Sequence, residues 1–470
     1  LNRTIPLILA VALFMENMDS TVIATSLPAI AADIGTSPVA LKLALTAYLV
    51  SLAIFVPVSG WMADRFGAKR IFRCAIGVFV LGSIACAVSG SLAEFVAARF
   101  LQGIGGAMMT PIARLVLVRS TQRSELVSAM AWLTVPALVG PMAGPPVGGF
   151  VTTFFSWHWI FLINVPIGIV GIFLAGRFLP EIETSRRGRI DFVGFALAGI
   201  AAAGIVFGLS VVSLPALPPV VGIATLGLGI ACGLLYLRHQ RRHADPVLDF
   251  QLFVNPTFRA AISGGSLFRI GAGAVPFLLP LMFQLGFGLN PLQSGLLTFA
   301  SAAGALLMKF LARPILQAGG FRIVLAASAL GGAALIGVNA LFTPETPHLV
   351  IVAVLLAAGF LRSLFFTSAN ALVFAELEDR DTGQGTAIAS VTQQVSVALG
   401  VAVAGGILEA TVFLTGIPLG LTAFSTAFVI VAAVTALAAV PVLRLHPKAG
   451  NAVSGHRRER DAVEQTSPPV

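Results

Sequence analysis

Glu16 and Asp19 lie three residues apart in a largely apolar stretch from Ile5 to Ile30. On a helix that spacing puts both carboxylates on one face. A charged side chain at the centre of a bilayer costs about 2.5 to 3.5 kcal/mol on insertion scales, so it needs a partner or a wet cavity. Two such acids suit the uptake and release of a proton, although Glu16 could equally stand in water near a helix end. Arg99, a turn and a half into the apolar stretch Leu92 to Val118, can neutralise Asp19 when the proton leaves, or form a static salt bridge. A second group is cationic: Arg269, Lys309 and Arg362 each lie in an apolar stretch of the second half, where Glu409 is the only acid. Lys309 can snorkel to an interface. Arg269 and Arg362 lean the census toward anionic, zwitterionic or neutral amphiphilic molecules. Asn370, Gln393 and Gln394 could hydrogen-bond a bound molecule, or another helix.

The elements that must position these groups are fourteen apolar stretches, each long enough to cross a bilayer. The first seven run from Ile5 to Ile30, Ala40 to Met62, Ile71 to Gly90, Leu92 to Val118, Leu126 to Phe150, Trp157 to Leu179 and Phe192 to Val212. The next seven run from Leu217 to Leu237, Phe258 to Gly286, Leu292 to Leu316, Ile323 to Leu341, Leu349 to Phe374, Ala387 to Phe413 and Ala423 to Leu443. Basic residues collect in alternate connections: Arg65, Lys69, Arg70 and Arg73, then Arg119 and Arg123, then Arg186, Arg187 and Arg189, then Arg238, Arg241 and Arg242. Cytoplasmic connections carry this excess, so both termini are expected in the cytoplasm. The opposite connections offer only Lys42, with Trp157 and Trp159 where an aromatic belt would lie. The acidic connection with Glu376, Glu378, Asp379, Arg380 and Asp381 does not change this, because acids contribute little to orientation.

Composition agrees, with 57% hydrophobic and 10% charged residues, against about 25% charged in soluble domains. The formal charge of +9 is spread beside helix ends, which argues against a nucleic-acid partner. Cys74, Cys86 and Cys232 have no CxxC or metal-ligand spacing and read as small buried hydrophobes. The first stretch is too long for a signal peptide and reads as a retained helix. No GxxxxGK[ST] loop occurs, nor HExxH, GxSxG or a paired Cys and His cluster, so neither an ATP-driven pump nor an enzyme is expected, and no cofactor or metal. A channel or a membrane sensor is a more distant class. The longest polar connections divide the chain into 1–180, 181–256 and 257–445, six, two and six helices, with a polar tail, 446–470, expected to be disordered. Gly67-Ala68-Lys69-Arg70-Ile71 is weakly echoed by Gly319-Gly320-Phe321-Arg322-Ile323.

Three further motifs have a physical reading of their own. Gly140, Gly144 and Gly148 recur every four residues, which permits close helix approach, while Pro141, Pro145 and Pro146 bend the segment and Gly149 extends the small surface. Static packing and a moving interface fit equally. In Gly60-Trp61-Met62-Ala63-Asp64-Arg65-Phe66-Gly67-Ala68-Lys69-Arg70 the glycines permit tight turns, and Asp64 can pair with Arg65, Lys69 or a helix end of the other half. The third is Arg99-Phe100-Leu101-Gln102-Gly103-Ile104-Gly105-Gly106.

Together with Met18 to Ile23, Leu27-Pro28 and Trp157 to Pro166, these motifs resemble the major facilitator superfamily, in its fourteen-helix drug:proton antiporter branch. Ala68 and His158 stand where basic residues are usual, and the second copy of the loop motif lacks its acid. The resemblance covers Phe14 to about Arg444 and implies an all-α polytopic membrane protein with two six-helix bundles and two additional helices. It implies export of small amphiphilic compounds from a bacterial cytoplasmic membrane, in exchange for protons, by a monomer. It gives Asp19, Glu16 and Arg99 to proton coupling, Gln102 to the substrate cavity with Arg269 and Arg362, the Gly60 motif to a cytoplasmic latch and the Gly140 motif to gating. A dedicated exporter of an organic anion is the alternative.

Overall fold

Backbone N–H and C=O groups have no water to bond to in hydrocarbon, so a spanning chain with no closed barrel must be helical. The computed structural model describes residues 4–122, 125–182, 191–215, 217–243, 245–378 and 381–454, and no strand occurs among them. Arg123, Arg186, Arg187, Arg189, Asp379, Arg380 and the tail from 455 onward, with Arg457, Arg458 and Arg460, lie outside the described residues.

The helices in chain order are α1 (Thr4–Val22), α2 (Leu27–Asp33), α3 (Lys42–Phe66), α4 (Ala68–Val88), α5 (Leu92–Ser120), α6 (Leu126–Phe154), α7 (Trp159–Leu162), α8 (Asn164–Phe178), α9 (Phe192–Val212) and α10 (Pro219–Gln240). They continue with α11 (Pro256–Leu281), α12 (Pro291–Val338), α13 (His348–Phe374), α14 (Thr382–Thr415), α15 (Leu421–Ala436), α16 (Ala439–Leu443) and α17 (Asn451–Ser454). Their starts follow local chemistry. Ser91 accepts from the backbone N–H of Glu94, and Asn290 and Gln293 cap α12 reciprocally.

Twelve stretches among the described residues are long and apolar enough to cross a membrane, where fourteen were expected. The difference has two sources. The expected tenth and eleventh spans fall in one helical run, which is non-helical only at Gly320 (φ 65°, ψ 168°). The expected fifth lies in α6, a helix of 29 residues that is not among the twelve. Gly67, between α3 and α4, is also at positive φ, 90°. The two turns of the internal echo therefore share a device, a single glycine in a conformation that side chains disfavour, offset by one residue from the match of letters.

Burial separates the helices. About 60% of the apolar window of α1, α3 and α5 is buried, against 28% for α9 and 22% for α10. These two form a hairpin in which Gly204 meets Gly229, Gly208 meets Leu226 and Gly222 meets Val212 at backbone distance. Exposed Phe192, Ile223, Leu228 and Leu234 face outward. One apolar cluster, including Ile23, Leu27, Trp157, Phe283 and Phe424, joins the first helices to the last at the face opposite the arginine-rich connections. At the arginine-rich face each half has its own cluster, one around Phe72 and Ile112, the other around Phe321 and Leu372. The chain is therefore closed across one face and packed separately at the other.

The start of the tail departs from the expected disorder. Residues 446–454 turn into α17, where the Gly450 N–H donates to Glu376 Oε1 at 3.2 Å and Ala449 is buried beside Phe321 and Leu372.

Close crossings depend on absent side chains. A Cβ on Gly105 would stand 2.5 Å from Phe79 N and 2.6 Å from Ala75 O, backbone atoms that cannot rotate away. Gly105→Val should cost at least ~1–3 kcal/mol and lower the midpoint of thermal unfolding in detergent. Gly60→Ala, with nothing within 4 Å of its Cβ, should leave the midpoint unchanged or slightly raised.

Candidate functional site: a buried carboxylate network

Asp19 is fully buried near the end of α1, and three donors converge on it. Arg99 Nη1 lies 2.7 Å from Oδ2, while Gln102 Nε2 at 2.9 Å and Asn164 Nδ2 at 2.8 Å donate to Oδ1. Ser83 Oγ accepts from both amides, at 2.8 Å from Gln102 and 3.2 Å from Asn164. The Arg99 guanidinium lies 4.3 Å from the Tyr48 ring centroid, and Arg99 is 1% exposed. Three N–H donors converging on its two oxygens find in the side chain the acceptors they need. Removing one member of a buried pair costs about 3–5 kcal/mol, because the other charge is left uncompensated.

Small residues make the network possible. Gly82 lies against the backbone of Gln102, so α4 and α5 approach until Ser83 and Gln102 touch. Gly103 lies against Tyr48 and Ser51 of α3. Gly140, Gly144 and Gly148 pack on α1 and the turn after it, against Phe14 and Met18, Thr21, and Val22 and Thr25. The next positions of α6 turn to the other half: Gly149 lies against Pro291 and Leu292, and Gly295 against the Pro145 carbonyl. One helix thus packs on the segment that carries Asp19 and on the first turns of α12. Pro141 is half-buried in the same stretch.

Glu16 does not share a hydrogen bond with Asp19. It is half-buried and accepts from Thr110 Oγ1 at 2.8 Å, so each acid has its own partners and the expected shared pair is resolved into two sites. Gln102, expected in a substrate cavity, is 0% exposed and belongs to the Asp19 network, because the glycine crossing draws α5 onto α4.

A second buried ion pair crosses between the halves. Lys42, at the start of α3, is 0% exposed and pairs with Glu409 of α14, and its Nζ also donates to Ser213 Oγ, just past α9, at 2.8 Å. Gly405, one turn before Glu409, leaves the slot through which the lysine stem passes. Nearby, Gln284 Nε2 donates to the Thr25 carbonyl at 2.9 Å and the Leu292 N–H to Thr153 Oγ1 at 3.2 Å. All of these lie at the closed face. Nothing in the sequence joins Lys42, in a connection, to Glu409, in an apolar stretch of the second half.

Asp64, 2% exposed, pairs with Arg119 Nη2 of α5 at 3.1 Å. The described partner is therefore neither Arg65 nor Lys69, and it lies in the same half. Arg65 and Arg70 are exposed and Lys69 half-buried; Gly67 makes the turn after α3, whereas Gly60, expected in a turn as well, lies inside α3.

The cationic group does not form one cluster. Arg269 is buried, donates to Asn370 Oδ1 at 2.8 Å and lies 5.1 Å from the Phe366 ring centroid. Arg362 and Gln394 are half-buried and Gln393 exposed. Exposed Lys309 donates to Thr367 Oγ1 at 2.8 Å. A cavity of about 280 Å³ lined by Ile54, Pro57, Phe195, Tyr236, Leu237 and Phe250 lies between α3, α9 and α10, with no ionisable side chain except the tyrosine. It is not where the charges are.

The Major Facilitator Superfamily model matches residues 9–237 and 261–468. The chain is 38% identical over 401 residues to the "Putative multidrug resistance protein MdtD" of Pectobacterium carotovorum subsp. carotovorum (strain PC1), covering 85% of this chain and 86% of that protein. It is 36% identical over 404 residues to the protein of the same description from Salmonella paratyphi B, covering 85% of each. Its fold is similar to that of a D-xylose-proton symporter, with TM-score 0.69 and 15% identity over 95% of this chain and 98% of the other. The nucleoside transporter NupG is similar with TM-score 0.66 and 14% identity, over 94% and 98%. Matched along most of its length by the family model, the chain belongs to the Major Facilitator Superfamily and is a multi-pass membrane transporter, not an enzyme.

Proposed function

We propose that this protein exports small amphiphilic compounds across the bacterial cytoplasmic membrane in exchange for protons, with Asp19 as the proton-binding group. The observation that carries the reading is the fully buried Asp19 carboxylate held by Arg99, Gln102 and Asn164. The relatives' description as multidrug resistance proteins supports the cargo class. We count fourteen crossings, with α12 divided at Gly320 and α6 included, in the plan 1–180, 181–256 and 257–445. The arginine-rich face is cytoplasmic, as are both termini.

In this reading the conformer is closed toward the outside and binds cargo from the cytoplasmic side with Asp19 ionised. Opening outward parts Lys42 from Glu409 and lets a proton reach Asp19. The protonated acid gives up one donor and loosens its hold on Arg99. That change moves α1 against the glycine face of α6, and α6 bears on α12 through Gly149 and Gly295. Glu16 beside Thr110 is the second acid on the path. Each proton entering gains about 2.3 kcal/mol per 100 mV of membrane potential, enough for roughly fortyfold accumulation when every 1.4 kcal/mol is a factor of ten. The energy source is the proton gradient, with no cofactor, and the transport unit is a monomer. A second reading, export of an organic anion, is favoured by buried Arg269, whose described partner is the neutral Asn370, and by Arg362.

Purified protein in liposomes with a trapped pH dye should show proton flux on addition of an amphiphilic cargo, reduced at least about tenfold by Asp19→Asn. Unchanged flux in that variant removes Asp19 from the mechanism. Flux driven only by organic acids, and lost in Arg269→Ala with Arg362→Ala, selects the second reading. The closed face gives a separate expectation. With Cys74, Cys86 and Cys232 replaced by serine and Thr25→Cys added, Glu409→Gln should raise labelling by an impermeant thiol reagent from outside severalfold, because Lys42 is left buried without its anion. An unchanged labelling rate would mean that this pair does not hold the outer face.

A further inference from the structure

The hairpin of α9 and α10 brings three metal-ligand side chains together at the arginine-rich face. Asp191 immediately precedes α9, His239 lies in the last turn of α10, and His243 follows four residues later. One ligand atom from each lies within 4.8 Å of the other two. Asp191 Oδ1 is already 2.8 Å from His239 Nε2. Bonds of about 2.0–2.1 Å to a tetrahedral zinc would hold such atoms about 3.3 Å apart. The site needs only a slight widening of the first pair and an inward swing of His243, which is exposed and free to make it.

A second observation separates this group from a casual surface cluster. Asp191 is 4% exposed, and its Oδ1 accepts from the Gly194 N–H at 2.7 Å as well as from His239. Its Oδ2 is buried with no hydrogen-bond partner among the described residues. A Cβ at position 194 would strike this carboxylate, so the glycine lets it fold under the first turn of α9 and stay there. A buried carboxylate oxygen without a donor is costly, and a cation held beside it removes that cost.

The surroundings hold the backbone that carries the two histidines. One turn before His239, the Tyr236 hydroxyl donates to the Leu248 carbonyl at 2.8 Å and accepts from the Leu248 N–H at 2.7 Å. Gln240 Oε1 accepts from the Phe250 N–H at 3.1 Å. The segment leaving α10 is thereby tied back onto it, with His243 on the turn between. The His239 and His243 rings already lie 5.4 Å apart between centroids.

We propose that Asp191, His239 and His243 form a binding site for a divalent transition-metal ion that joins the start of α9 to the end of α10. Two imidazoles and one carboxylate favour zinc and its neighbours over calcium or magnesium, which prefer all-oxygen sites. Three protein ligands leave a fourth position for water. The inference does not rest on the transport reading.

The test uses full-length, tag-free protein in detergent, stripped with a chelator and titrated with Co2+ alone. The expected result is saturable binding of one equivalent with visible d–d absorption, displaced by Zn2+. Affinity should fall at least about tenfold in His243→Ala, the minimum expected when even an outer-shell partner of a metal is lost. Because His243 is exposed, that variant without metal should unfold at the wild-type temperature, which separates ligand loss from misfolding. Asp191→Asn should weaken binding as well. Absence of saturable binding, or the same affinity in His243→Ala and Asp191→Asn as in wild type, overturns the proposal. So does stability that responds to pH but not to Zn2+, which would assign Asp191 and His239 to an ion pair only.

Discussion

A charge in a medium of low dielectric must be paired, and most of what is unusual in this chain follows from two pairs that meet that requirement. Asp19 and Arg99 are both essentially inaccessible to water, 2.7 Å apart, inside the first half. Lys42 and Glu409 are paired between the halves. Stability alone does not call for such pairs, since well-packed apolar residues of similar volume often stabilise at least as well as a buried ion pair. What a buried pair provides is a sharp dependence on ionisation. Neutralising one member leaves the other uncompensated, so a single proton changes the energy of a conformation by several kcal/mol, far more than any one van der Waals contact.

The proposed switch requires a connection to the rest of the molecule, and small residues supply the close contacts for one. Gly140, Gly144 and Gly148 seat α6 on the helix that carries Asp19, and Gly149, Pro145 and Gly295 seat α6 on α12. These close contacts, to backbone atoms and to short, stiff side chains such as Thr21 and Val22, leave little room to absorb a displacement. The same logic applies to Gly82 and Gly105, which fix α5 on α4 and thereby aim Gln102 and Arg99. The α9 and α10 hairpin touches both halves, at Ile54 of α3 through Gly199 and at Gly406 of α14 through Ser213, while showing most of its surface outward.

Much of this was legible in the letters. Apolar length and alternate basic connections mark the helices, and the two glycine turns were visible as an echo, one residue out of register with the backbone that forms them. Asp19 and Arg99 stood out because charges in apolar stretches are rare, and the structure brings them together. Partners of ordinary type were not legible: Asn164, Ser83 and Tyr48 join the Asp19 network, and Thr110 joins Glu16, only through helix crossings that no periodicity records. Gln102 was assigned to a cavity because its register on α5 says nothing about how closely α4 approaches. Lys42 and Glu409 lie 367 positions apart, and each alone resembles an interfacial residue. His239 and His243 have the spacing of metal ligands, but Asp191, which gives the pair its meaning, is 48 positions from the nearer one.

The central claim is that Asp19 is the group that takes up and gives back the proton. Infrared difference spectroscopy of the protein in lipid, recorded between alkaline and acid pH, reads protonated carboxyl groups directly through their C=O stretch. The account predicts a band in the wild type that is missing in Asp19→Asn and shifts in Asn164→Ala, where the carboxyl loses a donor. A band of unchanged position and intensity in both variants would show that another carboxyl carries the proton.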